Sequence, residues 1–465
     1  MNIIKNTIAI LLLLFISLMA TETKKVEKHF PVSPEVGIEI ISVSGMDVTI
    51  KTWDKQEVYF NLEIEISSND SDYEQEYIKS FDIISDLDES KILIEIVETD
   101  EESEWSFWDI FSFKIGYYVS KDIKGEIFIP KQNDFTSDFR YCDINLLEVS
   151  GKLTLNGKAN DLSLTKCSNI GLIENSYGDI KIENCGGNLE LLSRSSENSI
   201  KNFNGNVTIK SDYSDLTIHS ISGNLEVSSR SADINIKNIS KSLTIDADYS
   251  DIEVHNVAKA VSIKDRSGNI NLDKVGSIEL EGKYSDFIIK NVSGSDEKVN
   301  KITGRSGNIN VLNLTGGLII KSDYSDMELD SIKGNVGIES RSNSIDGKNI
   351  AGNLNLQSEY SNISLLNINS RKTSISNRSE DIVLDFINTP AELSIITEYC
   401  DIVISIPKEY SGEISIESIN GNIESGFEFE KEIDKSSLKK RFRKGSNNSI
   451  ITIENRSGDI ELIAK

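Results

Sequence analysis

The sequence is poor in the residues that build most catalytic and metal sites. Its 465 residues include only 3 histidines, 4 cysteines and 5 prolines. It lacks the GxSxG, HExxH and Walker motifs and the glycine-aspartate nonapeptides that bind calcium. These absences argue against hydrolase, zinc-protease and nucleotide-binding classes. We therefore predict a protein without an enzymatic activity, with no catalytic residue, no cofactor and no metal.

Basic residues are also scarce. The chain has 49 basic and 75 acidic residues, a net charge of −26, which disfavours binding to nucleic acid phosphates. Hydrophobic residues make up 38% of the chain, which is little for a large rounded core and suits a thin, elongated one. With 29 glycines and few prolines the chain is not of low complexity either.

Long apolar runs are missing beyond the N-terminus. Residues 1–20 carry Lys5 and then an apolar run too short for a comfortable membrane span, which is the layout of a secretory signal peptide. No second run of membrane length follows. We predict an exported protein without a membrane span in its mature chain, located in the periplasm or at the cell surface or extracellular.

An 18-residue repeat fills the rest of the chain. An apolar residue that follows Asp or Asn, here called the anchor, recurs mostly every 18 residues from Ile144 to Ile460. Each repeat holds two short apolar–polar–apolar segments, such as Val207/Ile209 and Leu216/Ile218, and this period of 2 is typical of β-strands.

The regularity favours a β-solenoid over a β-sandwich, because only stacked coils require one repeat to equal one turn. Five residues after the anchor the sequence is almost always buriable, and just before it Asp or Asn recurs, which we expect to adopt left-handed geometry at a corner. We predict an all-β, single-chain parallel β-solenoid, right-handed, with about 17 coils of 18 residues. The predicted domains are an N-terminal β cap at 21–135 and the solenoid at 136–465, interrupted by a charged loop at 426–448.

Surface residues repeat at twice this period. Three residues before the anchor, tyrosine alternates with a small residue, and one position earlier an acid alternates with a base. A tyrosine stacked on a small residue avoids the crowding that a ring on every coil would cause, since neighbouring coils lie ~4.8 Å apart. We expect a structural ladder in which arginines lie between carboxylates and beside tyrosine rings. Its members are Tyr213, Tyr249, Tyr284, Tyr324, Tyr360, Arg230, Arg266, Arg305, Arg341 and Arg378.

Short glycine motifs connect the sequence to a known group. The units GNVTI, GNLEV, GNINL, GNLNL and GDIEL resemble the bacterial β-strand-repeat family named putative adhesins, a domain family of unknown function. The segment SVSGMDVTIKTWDKQEVYF at 42–60 and KGEIFIPKQ are similar to that family's opening. The resemblance covers about residues 30–465 and implies the fold rather than an activity. Some members of that family act in sensing or responding to cell-envelope stress, so the resemblance also implies such a role as an alternative.

The repeat places two histidines in one column and two cysteines in another. His219 and His255 fall in one column two coils apart, about 9.6 Å, too far to share a metal. Cys167 and Cys185 fall on neighbouring coils. Export favours a disulfide between them, whereas their otherwise Ile- and Val-rich column favours plain packing of free thiols. Both alternatives stay open.

Two segments depart from the repeat. An acidic run precedes an aromatic cluster in the cap, where Trp105 and Trp108 could contact a sugar or a partner. Near the C-terminus a basic group could form a solvated loop, contact an anionic envelope polymer or contact the protein's own acidic surface. Its members are Lys439, Lys440, Arg441, Arg443 and Lys444.

These observations predict an exported, non-enzymatic β-solenoid that presents an extended surface for adhesion or cell-envelope interaction. The sequence does not identify its partner, for which envelope polysaccharide and a surface protein are the candidates. One alternative is a periplasmic sensor or scaffold in envelope stress. Another is a polysaccharide-processing β-helix enzyme, which these nearly minimal coils argue against because such enzymes build their clefts from long loops.

Overall fold

A computed structural model describes residues 22–68, 71–88, 90–97, 119–294, 298–428, 430–433, 438–445 and 448–465. The predicted signal peptide at 1–20 lies outside these residues. The chain divides into two compact units, Met1–Ser211 and Asp212–Lys465. Strands make up 71% of the described residues and helix 2%, which confirms the predicted all-β class.

The first unit begins with a mixed region of strands and one helix. Helix α1 spans Ser71–Ser80. Its Tyr77 is buried, and the Lys24 Nζ donates to the carbonyls of Ile78 and Phe81 at the end of the helix. The strands of this region are β1 Glu22–Pro31, β2 Gly37–Ser44, β3 Asp47–Trp53, β4 Glu57–Ser68, β5 Asp82–Leu87, β6 Lys91–Val97 and β7 Val119–Pro130.

Antiparallel pairs join β1 to β4, β4 to β7 and β5 to β6. Two strands of the region already belong to the parallel stacks, because β2 and β3 pair in parallel with the first strands that follow Pro130. Those following strands are β8 Phe135–Arg140, β9 Asp143–Leu147, β10 Leu153–Lys158, β11 Asp161–Thr165, β12 Ile170–Ser176, β13 Ile180–Glu183, β14 Gly186–Arg194 and β15 Asn198–Asp212. Strands β8, β10, β12 and β14 form one parallel stack, and β9, β11, β13 and β15 form a second.

The second unit is also built from coils of two strands. One stack contains the strands that begin at the anchors. They are β16 Leu216–Ile221, β18 Asp233–Ile239, β20 Asp251–Val257, β22 Asn269–Val275, β24 Asp286–Ser293, β26 Ile309–Thr315, β28 Met327–Lys333, β30 Ser342–Ala351, β32 Tyr360–Ile368, β34 Ile382–Phe386, β36 Ile402–Ile406, β38 Ile423–Ser425 and β42 Ile460–Ala464.

The other stack contains the strands between them. They are β17 Leu225–Arg230, β19 Leu243–Asp248, β21 Val261–Asp265, β23 Ile278–Gly282, β25 Asn300–Gly304, β27 Leu318–Ser322, β29 Val336–Ser340, β31 Leu354–Gln357, β33 Lys372–Ser379, β35 Glu392–Tyr399, β37 Gly412–Asn420 and β41 Ser449–Ser457. Two further strands, β39 Glu430–Ile433 and β40 Leu438–Lys444, form an antiparallel hairpin.

The stacking register is the one that the repeat predicts. Leu216 pairs with Ile234, Ile234 with Ile252 and Ile252 with Ile270, and each of these side chains is buried. The described residues contain about 15 parallel turns at a spacing near 18 residues, against the 17 or so predicted. The predicted parallel β-solenoid is therefore confirmed.

The corners differ from the expectation. Left-handed backbone does not occur at the Asp column. It occurs four residues after the anchor, as at Asn238 (φ 61°) and Asn256 (φ 63°), and three residues before it in the earlier coils. The Asp carboxylates instead accept the backbone N–H of the next coil, as Asp215 does from Asp233 at 3.1 Å. The ladder thus joins coils rather than closing a local turn.

The C-terminal coils do not stack in chain order. Strands β41 and β42 lie between the coil of β35 and β36 and the coil of β37 and β38. The β40 strand then pairs antiparallel with β37. Part of the segment expected as a charged loop, 426–448, is therefore a hairpin that covers the edge of β37.

Candidate binding surface of tyrosine and arginine side chains

In the second unit, tyrosine and serine alternate in one column of stacked residues. Ser342 pairs with Tyr360, Tyr360 with Ser379, and Ser379 with Tyr399. An isolated bridge joins Ser306 to Tyr324 in the same way. Each tyrosine is thus two coils from the next.

The backbone holds these tyrosines at a corner. Tyr213 and Tyr249 have left-handed backbone, with φ of 56° and 59°, which costs a non-glycine residue on the order of 1–2 kcal/mol. The Tyr213 N–H donates to the Arg230 carbonyl of the following coil at 2.8 Å. In a later coil the Tyr324 N–H donates instead to Arg305 of the preceding coil, also at 2.8 Å. Hydrogen bonds between coils therefore fix the corner, whether the tyrosine N–H donates to the following coil or to the preceding one.

Arginines of the intervening coils reach back to the phenols. An arginine Nη1 donates to the hydroxyl of the tyrosine one coil before it. These contacts are Arg266 to Tyr249 at 3.2 Å, Arg305 to Tyr284 at 3.5 Å, Arg341 to Tyr324 at 3.4 Å and Arg378 to Tyr360 at 3.3 Å. We call this set, with Tyr213, Arg230 and Tyr399, the tyrosine–arginine ladder.

The guanidinium groups also lie near the rings and near carboxylates. The Arg266 and Arg378 guanidinium carbons lie 5.8 and 5.9 Å from the ring centroids of Tyr249 and Tyr360. The hydrogen bond to Tyr213, with help from nearby carboxylates, raises the pKa of Arg230 above its ordinary value. The Arg378 Nε lies 3.3 Å from the Glu398 carboxylate. Positive and negative charges therefore alternate along much of the ladder, and Lys283 between Arg266 and Arg305 interrupts the alternation.

The rings remain half exposed despite these contacts. The relative exposures of the ladder tyrosines range from 42% at Tyr360 to 55% at Tyr249. A half-exposed ring held at its hydroxyl by a neighbouring arginine is an aromatic surface with little freedom to reorient. Such a surface suits stacking against a flat, partly apolar ligand.

The first unit contains two comparable tyrosines. Tyr141 and Tyr177 have left-handed backbone and are 58% and 52% exposed. The Lys158 Nζ lies 5.6 Å from the Tyr177 ring centroid. Lys158 lies one coil before Tyr177, and Arg194 lies one coil after it, the place that arginine has in the second unit.

The basic group near the C-terminus lies on the hairpin strand β40. The Lys439 Nζ lies 2.6 Å from the Glu417 carboxylate, and the Arg441 Nε lies 3.6 Å from Glu413. The Lys440 Nζ donates to the Ile423 carbonyl, and the Lys444 Nζ to the Lys408 carbonyl at 3.3 Å. Arg443 is exposed on the same strand. Of the three options, the structure favours contact with the protein's own acidic surface for Lys439 and Arg441.

The cysteines are buried, and Cys167 and Cys185 stack on neighbouring coils. The Cys167 N–H donates to the Cys185 sulfur at 3.3 Å, and both thiols are free in the structure. A hydrogen bond to Cys185 and burial raise the pKa of Cys167. Burial raises the pKa of Cys142 and of Cys400 to about 11. Cys142, Cys167 and Cys400 are therefore poor nucleophiles at neutral pH.

The histidines lie in the predicted column. Lys237 separates His219 from His255, and the His255 Nδ1 lies 3.0 Å from the Asp273 carboxylate. Within the described ranges, no group of three His, Cys, Asp or Glu residues could hold a metal ion. Trp105 and Trp108 lie outside the described residues. No helix in the described part is both long and apolar enough for a membrane crossing.

Sequence reasoning missed a groove on the stack of anchor strands. It has a volume of about 700 Å³ and is lined by Ile288, Leu312 and Leu366, which are 40–45% exposed, together with Lys290 and Lys348. The signal for this groove in the sequence was the presence of apolar residues at outward-facing positions that are otherwise polar. A second groove of about 720 Å³ lies on the other stack, around Val299 and Ile319.

Comparison with known proteins gives a family and no activity. The sequence matches the family described as Toastrack DUF4097 over residues 38–312 and 288–463. Among solved structures it is similar to a putative cell adhesion protein from Clostridium sporogenes, at 9% identity and a TM-score of 0.14, covering 95% of this chain and 100% of that one. No curated protein matches it significantly. The family match extends over both units.

Proposed function

The chain belongs to the Toastrack DUF4097 family, and we propose that it is an exported, non-enzymatic protein that binds an extended polymer of the cell envelope along its tyrosine–arginine ladder. The ladder carries this proposal. Half-exposed rings recur in one column at every second coil, each held at its hydroxyl by an arginine from the coil between.

A repetitive surface suits a repetitive ligand. One half-exposed ring offers little binding area, but several rings on one rigid scaffold can engage one polymer at once. After the first contact the remaining contacts are intramolecular, so weak individual sites give a strong total interaction. Because the rings are already fixed, little conformational entropy is lost on binding.

The chemistry of the described residues supports binding rather than turnover. The two stacked thiols and the buried Cys142 and Cys400 lack the exposed, electropositive surroundings of a reactive thiolate. Acids along the corners hydrogen-bond to backbone N–H groups of the next coil, as Asp251 does to Asn269 at 2.8 Å. They serve the stacking of coils. Export rests on the signal read at residues 1–20.

Cosedimentation of the mature chain with insoluble cell-envelope polymer tests the proposal. We expect the parent to sediment with the polymer and the double variant Tyr249→Ala, Tyr324→Ala to stay in the supernatant. The matched variant Tyr249→Phe, Tyr324→Phe keeps the rings and should retain most of the binding. The double variant Lys439→Ala, Arg441→Ala should also retain binding, because both side chains are already paired, with Glu417 and Glu413.

Two results would contradict the proposal. Equal sedimentation of the parent and the double alanine variant would remove the ladder as the binding surface. Release of new reducing ends from a polysaccharide panel by the purified parent would establish the enzymatic alternative.

A further inference from the structure

We infer that the ladder recognises a neutral, extended β-1,4-linked glycan that runs from coil to coil, with one tyrosine for every second sugar. This inference rests on the proposed function and names its ligand class. Three features of the second unit carry it: the spacing of the rings, the constancy of that spacing and the balance of charge beside them.

The spacing matches the repeat of such a glycan. Hydrogen-bonded strands lie about 4.8 Å apart, so tyrosines two coils apart are separated by about 9.6 Å. In an extended β-1,4-linked chain each sugar is turned over relative to the last, and the length of two sugars is close to this distance. Every second sugar therefore presents the same face at the height of the next ring.

The spacing is kept where the sequence changes. Tyr249, Tyr284 and Tyr324 are separated by 35 and then 40 residues, yet each step is two coils. Asp265 pairs with Gly282 in β21 and β23, and Ser306 bridges to Tyr324. The additional residues fall in the sequence between the end of β24 at Ser293 and the start of β25 at Asn300. The rings thus keep one interval although the number of residues between them varies.

Sugars between the rings meet small and polar groups. The coil between two tyrosines places serine in the column, as Ser342 between Tyr324 and Tyr360. Arg341 of the same coil donates to the Tyr324 hydroxyl at 3.4 Å and borders the serine. Guanidinium and carboxylate groups beside the serine can donate to and accept from sugar hydroxyls.

The charge balance favours a neutral glycan. Arg230 pairs in register with Asp248, and Arg378 lies 3.3 Å from Glu398, so these arginines have a carboxylate beside them. Lys283, between Arg266 and Arg305, interrupts this balance locally. The whole chain carries a charge of −26, which repels polyanions. Glucose or N-acetylglucosamine polymers fit these conditions, whereas uronic acid polymers do not.

Titration calorimetry with soluble hexasaccharides on the mature chain tests the inference. We expect cellohexaose or chitohexaose to bind, with affinity rising at least tenfold from the disaccharide to the hexasaccharide as further rings are engaged. A β-1,3-linked glucan hexamer, an α-1,4-linked one and a β-1,4-linked mannuronate hexamer control for linkage and charge. Tyr249→Ala with Tyr284→Ala should lower the affinity roughly tenfold or more, and the corresponding phenylalanine variant should not.

The outcomes separate this inference from the proposed function. Equal affinity for β-1,3 or α-1,4 linkage, preference for the mannuronate, or an affinity independent of length would overturn the glycan class. If the ladder variants then still lost binding to envelope polymer, the proposed function would stand without it. Retained envelope binding by those variants, with no oligosaccharide bound, would overturn both.

Discussion

Asp265 is a buried carboxylate at a position where another coil of the second unit places an asparagine. Asn377 holds its corner by three contacts: its Oδ1 accepts the Ser361 N–H at 3.3 Å, and its Nδ2 donates to the carbonyls of Ser361 and Ser379 at 2.8 Å each. Asn455 donates in the same way to the Cys400 carbonyl at 2.8 Å. The amide thus satisfies both backbone donors and acceptors.

The carboxylate makes only the accepting contacts. Asp265 Oδ1 accepts the Ser250 N–H at 3.4 Å, and Oδ2 accepts the Ser285 hydroxyl at 3.1 Å. An ionised carboxylate has no proton to donate to the corner carbonyls. Asp265→Asn should therefore remove a buried charge and exchange the hydrogen bond from the Ser285 hydroxyl for two hydrogen bonds to the corner carbonyls.

The gain can be estimated from these contacts. Each new intramolecular hydrogen bond contributes about 0.5–1.5 kcal/mol net to stability. Asp265 is 5% exposed, and its burial raises the pKa of the carboxyl above its ordinary value, so the ionised form destabilises the folded state at neutral pH. We expect Asp265→Asn to raise the free energy of unfolding by on the order of 2 kcal/mol near neutral pH.

The sign of the pH dependence follows from the raised pKa. Above the folded-state pKa the parent carries a buried charge that the unfolded chain exposes to water. As the pH falls through that pKa toward the ordinary value, the folded state takes up the proton first and the penalty disappears. The advantage of Asp265→Asn should therefore shrink on acidification, since each unit of pKa shift corresponds to about 1.4 kcal/mol.

Urea unfolding of the mature chain, followed by far-ultraviolet circular dichroism at neutral pH and near the ordinary Asp pKa of about 3.9, measures both effects. The matched variant Asn377→Asp creates the reverse change and should lower the urea midpoint at neutral pH. If Asn377→Asp is destabilised as expected but Asp265→Asn is no more stable than the parent, the two positions are not equivalent and the reasoning fails.

Four further predictions follow from the stacking. Arg230→Asp should lower the unfolding midpoint at low salt by placing like charges together; an unchanged midpoint would leave the ladder without a role in stability. Gly352→Ala should lose on the order of 2 kcal/mol or more by unfolding assay, because its φ is +144° and a Cβ would lie 2.2 Å from the Gly334 carbonyl oxygen, while Gly337→Ala should be tolerated. Thiol counting on the unfolded, unreduced protein should give two free thiols if Cys167 and Cys185 are bridged and four if they are not. Deleting 430–444 should expose the edge of β37 and cause concentration-dependent association in sedimentation; a deletion variant that stays monomeric would show the edge needs no cover.

The fold could be predicted from the sequence because stacking restricts the residue type at every position of the repeat. A residue that packs on its counterpart one coil away must suit the same environment, so the buried column through Leu216, Ile234 and Ile252 appears as a period of 18. The alternation of Tyr360 with Ser379 could be predicted in the same way, since a tyrosine ring leaves no room for a second ring on the adjacent coil.

Two features could not be predicted for physical reasons. Any coil of this array offers the same backbone edge and a similar apolar column, so the sequence does not specify that β41 lies between β35 and β37. The prediction placed the left-handed residues at the wrong position of the repeat, because Asp and Asn suit left-handed backbone locally. In the structure the Asp carboxylates bond to the next coil, and inter-coil hydrogen bonds hold Tyr213 in that conformation instead.

The two-coil period of the surface has a consequence for how the protein can bind. A solenoid core repeats at every coil, so a surface that only stabilised the stack could repeat at every coil as well, with small residues throughout. Tyrosine at alternate coils instead leaves a half-exposed ring at each site, as at Tyr213 and Tyr249. Arginine at the coils between donates hydrogen bonds that fix those rings, as Arg266 does for Tyr249. A column of half-exposed rings is better explained by what the column contacts than by the stability of the coils.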